Sequence, residues 1–235
     1  ADSIVVGRFV GKEALAAVSG SVNQIVTLIV EVFVGLTSGA SVIIAQFYGA
    51  KDHKNLNRTL HTAYAFAIVT GAIVGLIGFW ITEKVLIAMK TPSELMADSV
   101  IYLHIYFCGM IFNIVYNMGA SILRAVGDSR RPLYVLIMTC GLNIFFDIML
   151  VVFLKMGVMG VAIATVSCQG ISACMVTWIL IKGNSLFRLK IREIRFYMAS
   201  LQSVLRIGIP TALEATMYTI ANLIIQIFVN GLGTD

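Results

Sequence analysis

Charged residues are scarce in this sequence. Only 12% of its 235 residues are Asp, Glu, Lys or Arg, whereas 59% are hydrophobic and the mean hydropathy is +0.92. A soluble domain carries about twice that charged fraction. Several uncharged runs exceed the roughly 18 residues that mark a membrane-spanning helix, and they lack the alternation of barrel strands. The composition therefore argues against a soluble protein and predicts an all-α polytopic membrane protein.

Residues that form disulfides and metal sites are also few. The four cysteines lie inside apolar runs without a CxxC pair, and the three histidines lack the spacing of metal ligands. We expect the cysteines to be small core residues and predict neither a disulfide nor a zinc site. The sequence also lacks a phosphate-binding loop, a Ser-His-Asp order and an HExxH helix. The absence of these motifs argues against an enzyme, and we expect no cofactor.

Stretches without charges or turn residues predict six complete membrane spans. An earlier span is indicated by its tail at residues 3–10, and the missing initiator Met and the abrupt apolar end indicate a fragment. The six predicted spans cover residues 14–50, 59–82, 99–123, 133–154, 156–181 and 207–233.

The first of these spans is unusually long. As a helix its 37 residues would measure about 55 Å, whereas a bilayer core is about 30 Å thick. A hairpin turning at Glu31 is the alternative. Residues 27–34 contain no Gly, Pro, Asn or Asp, however, and this absence of turn residues favours one long helix.

The distribution of Lys and Arg predicts the orientation. With one long helix, 12 of the 17 basic residues fall on one side of the membrane and five on the other. The positive-inside rule places the first side in the cytoplasm, and we expect the protein in the cytoplasmic membrane. A hairpin would give 14 against three, so charge alone leaves both topologies open. The polar stretch 182–206 is either an amphipathic helix on the inner leaflet or a basic linker.

Three acidic residues lie inside predicted spans, where each costs about 2.5 to 3.5 kcal/mol at the bilayer centre. Asp147 is the most informative, because Asn143 precedes it by one helical turn and shares its face. In the next span Thr165 and Gln169 are also four residues apart. Converging oxygens suit a hard cation, and a desolvated carboxylate also takes up a proton. The alternative is a hydrogen bond that only packs two helices.

The other two acidic residues inside predicted spans are Glu31 and Glu214. Glu214 begins a polar stripe with Tyr218, which predicts a cavity-facing edge on the last span, whereas a structural and a functional role are equally open for Glu31. Asn113 and Asn117 form another polar stripe. Five residues are candidates for lining a cavity: Glu31, Asn113, Asn117, Gln169 and Tyr218. Glycine pairs such as Gly35 with Gly39 and Gly71 with Gly75 predict close helix packing.

Four segments together resemble the multidrug and toxic compound extrusion family. They are DSIVVGRFVGKEALAA at 2–17, GASVIIAQFYGAKD at 39–52, SILRAVGDSRRPL at 121–133 and RIGIP at 206–210. The resemblance covers essentially the whole chain and implies a transporter of twelve helices in two lobes. Residues 1–181 would form the N-terminal six-helix lobe with its first helix truncated, 182–206 a cytoplasmic linker, and 207–235 the first helix of the second lobe.

The same resemblance implies a function and a site. Members of this family export organic cations in exchange for Na⁺ or H⁺ by alternating access. The positions that match the family's cation site are Asp2, Asn143, Asp147 and Thr165, and Glu214 matches an acid used by some members in the second lobe. We expect a full-length monomer in a lipid bilayer, with no nucleic-acid partner. The alternatives are a lipid-linked oligosaccharide flippase of the same superfamily and a membrane protein that does not transport.

Overall fold

Seven α-helices follow one another in the part of the chain that the structure, a computed structural model, describes. This part comprises residues 6–7, 11, 15, 20–89, 91–183 and 187–231. For Ser21, Tyr218 and residues 222–231 the structure describes the backbone and not the side chain. A π-helical segment, Ile148–Phe153, continues the fifth helix, and a short 3-10 helix, Ile191–Glu193, precedes the seventh. The helices are α1 (Ser21–Gly49), α2 (His53–Ala88), α3 (Ser93–Cys108), α4 (Met110–Ala125), α5 (Arg130–Asp147), α6 (Gly157–Ile181) and α7 (Met198–Gly231).

Five predicted spans correspond to helices long and apolar enough to cross a membrane. Four are continuous: Val22–Gly49, His53–Ala88, Arg130–Phe153 and Gly157–Ile181. The fifth is the pair α3 and α4, which is bent by 50° at Gly109. A Cβ on Gly109 would lie 2.5 Å from Cγ1 of Val166, so the glycine lets α6 approach the bend. The sixth predicted span, 207–233, falls on α7.

The prediction of one long helix around Glu31 is confirmed, because α1 continues without a break from Ser21 to Gly49. The predicted start at residue 14 lies outside the described residues, and the described helix begins at Ser21, after Gly20. In contrast, α2 has 36 residues and extends beyond the predicted 59–82 at both ends. Uncharged windows mark only the segment immersed in lipid, whereas a helix continues into water where its ends are capped.

The turn between α1 and α2 shows such a cap. Lys51 adopts a left-handed conformation with φ of 55°, and Asp52 then caps α2. The Asp52 carboxylate accepts hydrogen bonds from the backbone N–H of Asn55 at 3.1 Å and from its Nδ2 at 2.7 Å. These bonds hold the pKa of Asp52 below its ordinary value. The conformation of residues 50–53 therefore fixes where α2 begins.

Small residues bring the helices together, as their spacing predicted. A Cβ on Gly71 would lie 2.8 Å from the Cα of Ile111, and one on Gly75 would lie 2.6 Å from the carbonyl oxygen of Phe107. These glycines let α2 pack directly on the backbone of α3 and α4. The core of the bundle lies between α1, α2, α4 and α6 and contains fully buried Ile44, Leu60, Met118, Ile122 and Leu180.

The seventh helix packs mainly against α1 through a second pair of small residues. A Cβ on Gly35 would lie 2.3 Å from the Cα of Ala212, and one on Gly39 would lie 2.4 Å from the backbone nitrogen of Gly208. Gly208 and Ala212 are four residues apart and so lie on the same face of α7. The two helix backbones are therefore in direct contact here.

The structure corrects the expectation that the cysteines are core residues. Three of them, Cys108, Cys140 and Cys174, are exposed on the outside of the bundle, and only Cys168 is buried. An apolar outer surface replaces water contact with lipid contact, so a hydrophobic setting in the sequence does not imply a core position. In the described part of the 182–206 stretch, residues 187–197, hereafter the connector, contain a single 3-10 turn, whereas residues 198–206 already belong to α7.

Candidate functional site

The candidate site lies where α5 and α6 pack together. Asp147 ends the regular part of α5 and its side chain is 0% exposed. Asn143 stands one turn earlier on the same face and is half-buried. The structure therefore places a carboxylate inside the bundle, with an amide beside it along the helix.

Thr165 of α6 lies at a similar depth in the bundle. With a rise of 1.5 Å per residue, Thr165 is about 12 Å from the first residue of α6, and Asp147 is about 25 Å from the first residue of α5. Because α5 and α6 run in opposite directions through a short connection, both positions fall in the half of the bundle near residues 154–157. Thr165 is half-buried, and α5 and α6 are in direct contact.

The backbone changes from α-helix to π-helix immediately after Asp147. The segment Ile148–Phe153 has one extra residue in its turn, and Gly160 of α6 packs against it. A Cβ on Gly160 would lie 3.2 Å from Cβ of Leu150 and 3.3 Å from its carbonyl carbon. Single π-helical turns are frequent at functional sites, where they re-aim a side chain. Here the widened turn follows the buried carboxylate directly.

Gln169 extends the polar face of α6 by one turn beyond Thr165. Its Nε2 donates to the hydroxyl of Tyr106 on α3 at 3.5 Å, and its Oε1 is buried. The rings of Tyr106 and Tyr102 stack with 6.2 Å between their centroids. Gln169 therefore contacts the bent span α3–α4, and Tyr106 is a polar neighbour that the sequence analysis did not identify.

The polar stripe on α4 makes hydrogen bonds both within its own helix and to α1. The Nδ2 of Asn117 donates to the Oδ1 and the carbonyl oxygen of Asn113, at 3.0 and 2.9 Å. Ser121 follows Asn117 by four residues and continues the stripe. It is buried and donates to the carbonyl oxygen of Thr37 at 3.1 Å. Part of this stripe thus joins α4 to α1.

The remaining predicted residues are dispersed. Glu31 is half-buried in the middle of α1, and Glu214 is exposed on α7. Asp2 and the side chain of Tyr218 lie outside what the structure describes. Among the predicted residues, then, those of α5 and α6 lie on two helices that are in contact, whereas Glu31 and Glu214 lie on other helices.

A separate cavity of about 310 Å³ lies between α1, α2 and α3. Gln24 and Thr82 are the polar residues among the described ones that line it, and the rest are apolar side chains such as Ile29, Leu103 and Phe107. The residues that line this cavity were not among those predicted from the sequence to line one. No pattern along one helix marks a cavity that three helices enclose.

The fold and the buried polar face together define a class of protein, the polytopic α-helical membrane proteins. Comparison with known proteins then shows the family. The MatE family profile matches residues 1–149. The chain therefore belongs to the MatE family, and the resemblance found in its sequence is confirmed.

Individual relatives agree with this assignment. The probable multidrug resistance protein YoeA of Bacillus subtilis is 30% identical over 99% of this chain and 51% of its own length. The probable multidrug resistance protein NorM of Thermotoga maritima is 28% identical over 93% of the chain and 47% of its own length. The chain thus spans about half the length of the curated relatives it matches.

Solved structures share the fold as well. An inward-facing multidrug resistance MATE transporter of the MOP superfamily superposes with a TM-score of 0.86, and an outward-facing one with 0.87. Both are 25% identical and cover 94% of this chain, which covers 50% and 49% of theirs. The predicted fold class, one lobe and the beginning of the next within a larger transporter fold, is therefore confirmed.

Proposed function

We propose that this chain forms the first lobe of a cation-coupled antiporter that exports organic cations by alternating access. The observation that carries the proposal is Asp147, a carboxylate 0% exposed in a membrane-spanning helix. A carboxylate removed from water gains affinity for a proton or a metal cation, and this suits Asp147 to the binding of a coupling cation. The names of the multidrug resistance relatives support an export function.

The residues around Asp147 supply the chemistry that coupling needs. Asn143 and Thr165 carry amide and hydroxyl oxygens at a similar depth, and such oxygens are the ligands that Na⁺ prefers. We assign the coupling site to Asn143, Asp147 and Thr165, with Asp2 as the further carboxylate implied by the family resemblance. Binding of the cation favours one conformation of the lobe, and binding of the organic substrate favours the other.

The proposal assigns secondary roles to the other predicted residues. Gln169, Asn113 and Asn117 lie on the helices beside the site, where they are available to an organic substrate. Glu31 and Glu214 lie on α1 and α7, the two helices in contact between the lobe and its continuation. The residues that carry a full charge inside the predicted spans are acidic, which suits cationic substrates better than the phosphates that a lipid-linked oligosaccharide flippase would bind.

The variant Asp147→Asn tests the proposal. We expect dye efflux from proteoliposomes to fall to the level of protein-free vesicles under both a Na⁺ and a pH gradient, because an amide cannot exchange either cation. The full-length protein should still insert and remain monodisperse. Asp98→Asn is the matched control, since Asp98 is a half-buried aspartate of α3 outside the proposed site. Efflux at the wild-type rate by the Asp147→Asn protein would contradict the assignment.

A further inference from the structure

The connector is attached to the beginning of α2 by hydrogen bonds from its own backbone. Its backbone N–H groups at Lys190 and Tyr197 donate to side chains of two adjacent residues, His61 and Thr62. Both acceptors are buried, with exposures of 1% for His61 and 0% for Thr62. The connector, which links α6 to α7, is thus hydrogen-bonded to two residues of α2.

The partners of His61 determine its protonation state. Its Nδ1 lies 2.8 Å from the carbonyl oxygen of Asn57, and a carbonyl only accepts, so Nδ1 carries a hydrogen. Its Nε2 lies 3.0 Å from the backbone nitrogen of Lys190, and this N–H only donates, so Nε2 carries none. The docked connector therefore requires neutral imidazole with the hydrogen on Nδ1.

Further contacts extend the attachment on both sides of His61. Thr62 accepts from the N–H of Tyr197 at 3.1 Å, and Thr59 donates to the hydroxyl of Ser200 at 3.3 Å. The guanidinium of Arg58 lies 5.3 Å from the centre of the Tyr197 ring. Leu189 is buried beside these groups. The contacts follow one face of the first turns of α2.

We propose that His61 and Thr62 form a latch that holds the connector on α2 while His61 is neutral and releases it when His61 is protonated. Protonation would place a hydrogen on Nε2 directly opposite the N–H of Lys190, so an acceptor would become a second donor. The hydrogen bond to the connector would then be replaced by repulsion between two donors. The bond to Lys190 would be lost, and the connector would be held on α2 only by the weaker set of contacts around Thr62, which bonds to Tyr197 and Arg195.

The charged groups around the latch come from three elements. On the connector these are Lys190, Glu193 and Arg195, where Lys190 and Glu193 pair with each other at 2.8 Å. Arg58 stands on α2, and at the end of α6 the Lys182 ammonium lies over the Trp178 ring at 4.1 Å. α7 presents the uncharged hydroxyl of Ser200 to Thr59. Glu193 is the one acid among these described groups.

Docking of the connector on α2 helps to fix the position of α7. The connector leads directly into this helix, which packs backbone to backbone on α1 through Gly208 and Ala212. A docked connector therefore fixes the start of α7 relative to α2 as well as α1. Its release would leave the contact with α1 as the main attachment.

Spin-label distances in the full-length protein test the latch independently of transport. Labels at Arg192→Cys in the connector and Lys84→Cys near the far end of α2, in a background without other cysteines, are separated by about 35 Å along the helix axis. We expect one narrow distance distribution at pH 8.0 and a distribution about twofold broader at pH 5.5. His61→Gln offers a donor and an acceptor that do not titrate, and it should remain narrow at both values.

Two loss-of-acceptor variants and one control complete the test. His61→Phe and the isosteric Thr62→Val should broaden the distribution already at pH 8.0. His53→Gln, at an exposed histidine of the same helix, should behave like the wild type. The latch is overturned if the wild-type distribution is the same at both pH values, if both loss-of-acceptor variants are as narrow as the wild type, or if His53→Gln removes the pH effect. Because no flux is measured, these outcomes do not depend on the proposed antiport.

Discussion

Buried polar side chains in this lobe bond in two different ways. Thr82 and Ser172 donate to carbonyl oxygens four residues earlier in their own helices, at 2.6 and 2.9 Å. Tyr64 and Thr177 hydrogen-bond to each other across α2 and α6, and Ser121 bonds to α1. The first arrangement satisfies the hydroxyl locally, whereas the second fixes the relative position of two helices.

Asn143 separates the two possible coupling ions. A proton needs only the Asp147 carboxylate, whereas Na⁺ needs several oxygen ligands. We expect Asn143→Ala to raise the Na⁺ concentration for half-maximal efflux about tenfold, equivalent to about 1.4 kcal/mol. Efflux driven by a pH gradient should change less than about twofold. The measurement is dye efflux from proteoliposomes under each gradient separately.

The controls for this prediction use the neighbouring stripe. Asn117→Ala removes an amide that already bonds to Asn113 in its own helix, so it should leave the Na⁺ dependence unchanged. An equal loss under both gradients in Asn143→Ala would assign Asn143 to the general structure of the site and remove it from the ion ligands.

Between elements, glycine determines how closely helices approach. At Gly39 the nearest atoms to an added Cβ belong to the backbone of α7, namely the nitrogen and Cα of Gly208 at 2.4 and 2.6 Å. Backbone atoms cannot rotate away as a side chain would, so the helices must separate. At Gly141 on α5, by contrast, no described atom lies within 4 Å of an added Cβ.

Two Gly-to-Ala variants should therefore change stability in opposite directions. We expect Gly39→Ala to lower the free energy of unfolding by about 1–3 kcal/mol, the usual range for overpacking. Gly141→Ala should raise it by about 0.5–1 kcal/mol, because alanine is the better helix former. Unfolding in mixed micelles measures both. Equal effects of the two substitutions would show that α7 does not pack on α1 as described.

For the whole molecule, the contacts of the connector define which loops share a side of the membrane. The connector touches α2 at residues 58–62, close to the α1–α2 turn. The ends of α6 and α1 are therefore on one side, as the single-helix topology requires. This is the side that receives 12 of the 17 basic residues.

The orientation follows as a prediction. A cysteine replacing Arg192 should react with a membrane-impermeant maleimide only after the cells are opened, because the positive-inside rule places the connector in the cytoplasm. A cysteine replacing Lys155 should react in intact cells. Both positions are exposed, which makes them a matched pair in a background without other cysteines. Labelling of Arg192→Cys in intact cells would reverse the proposed orientation.

The sequence by itself determined the class of protein, the spans and the buried acid. An uncharged run is a property of a single segment, so its meaning does not depend on neighbouring segments. The i and i+4 spacing of Asn143 and Asp147 likewise follows from helix geometry alone. The resemblance carried by residues 2–17, 39–52, 121–133 and 206–210 was sufficient to reach the family.

Only the tertiary structure decided which residues meet across helices. The docking of the connector on His61 depends on two segments more than 100 residues apart, joined by a hydrogen bond between residues 61 and 190. The π-helical segment after Asp147 has no Gly or Pro to announce it, and the outward position of three cysteines depends on which helix faces lipid. Lipid is the physical reason for the last difference, because in a bilayer the outer surface of a bundle is as apolar as its core and hydropathy no longer separates inside from outside.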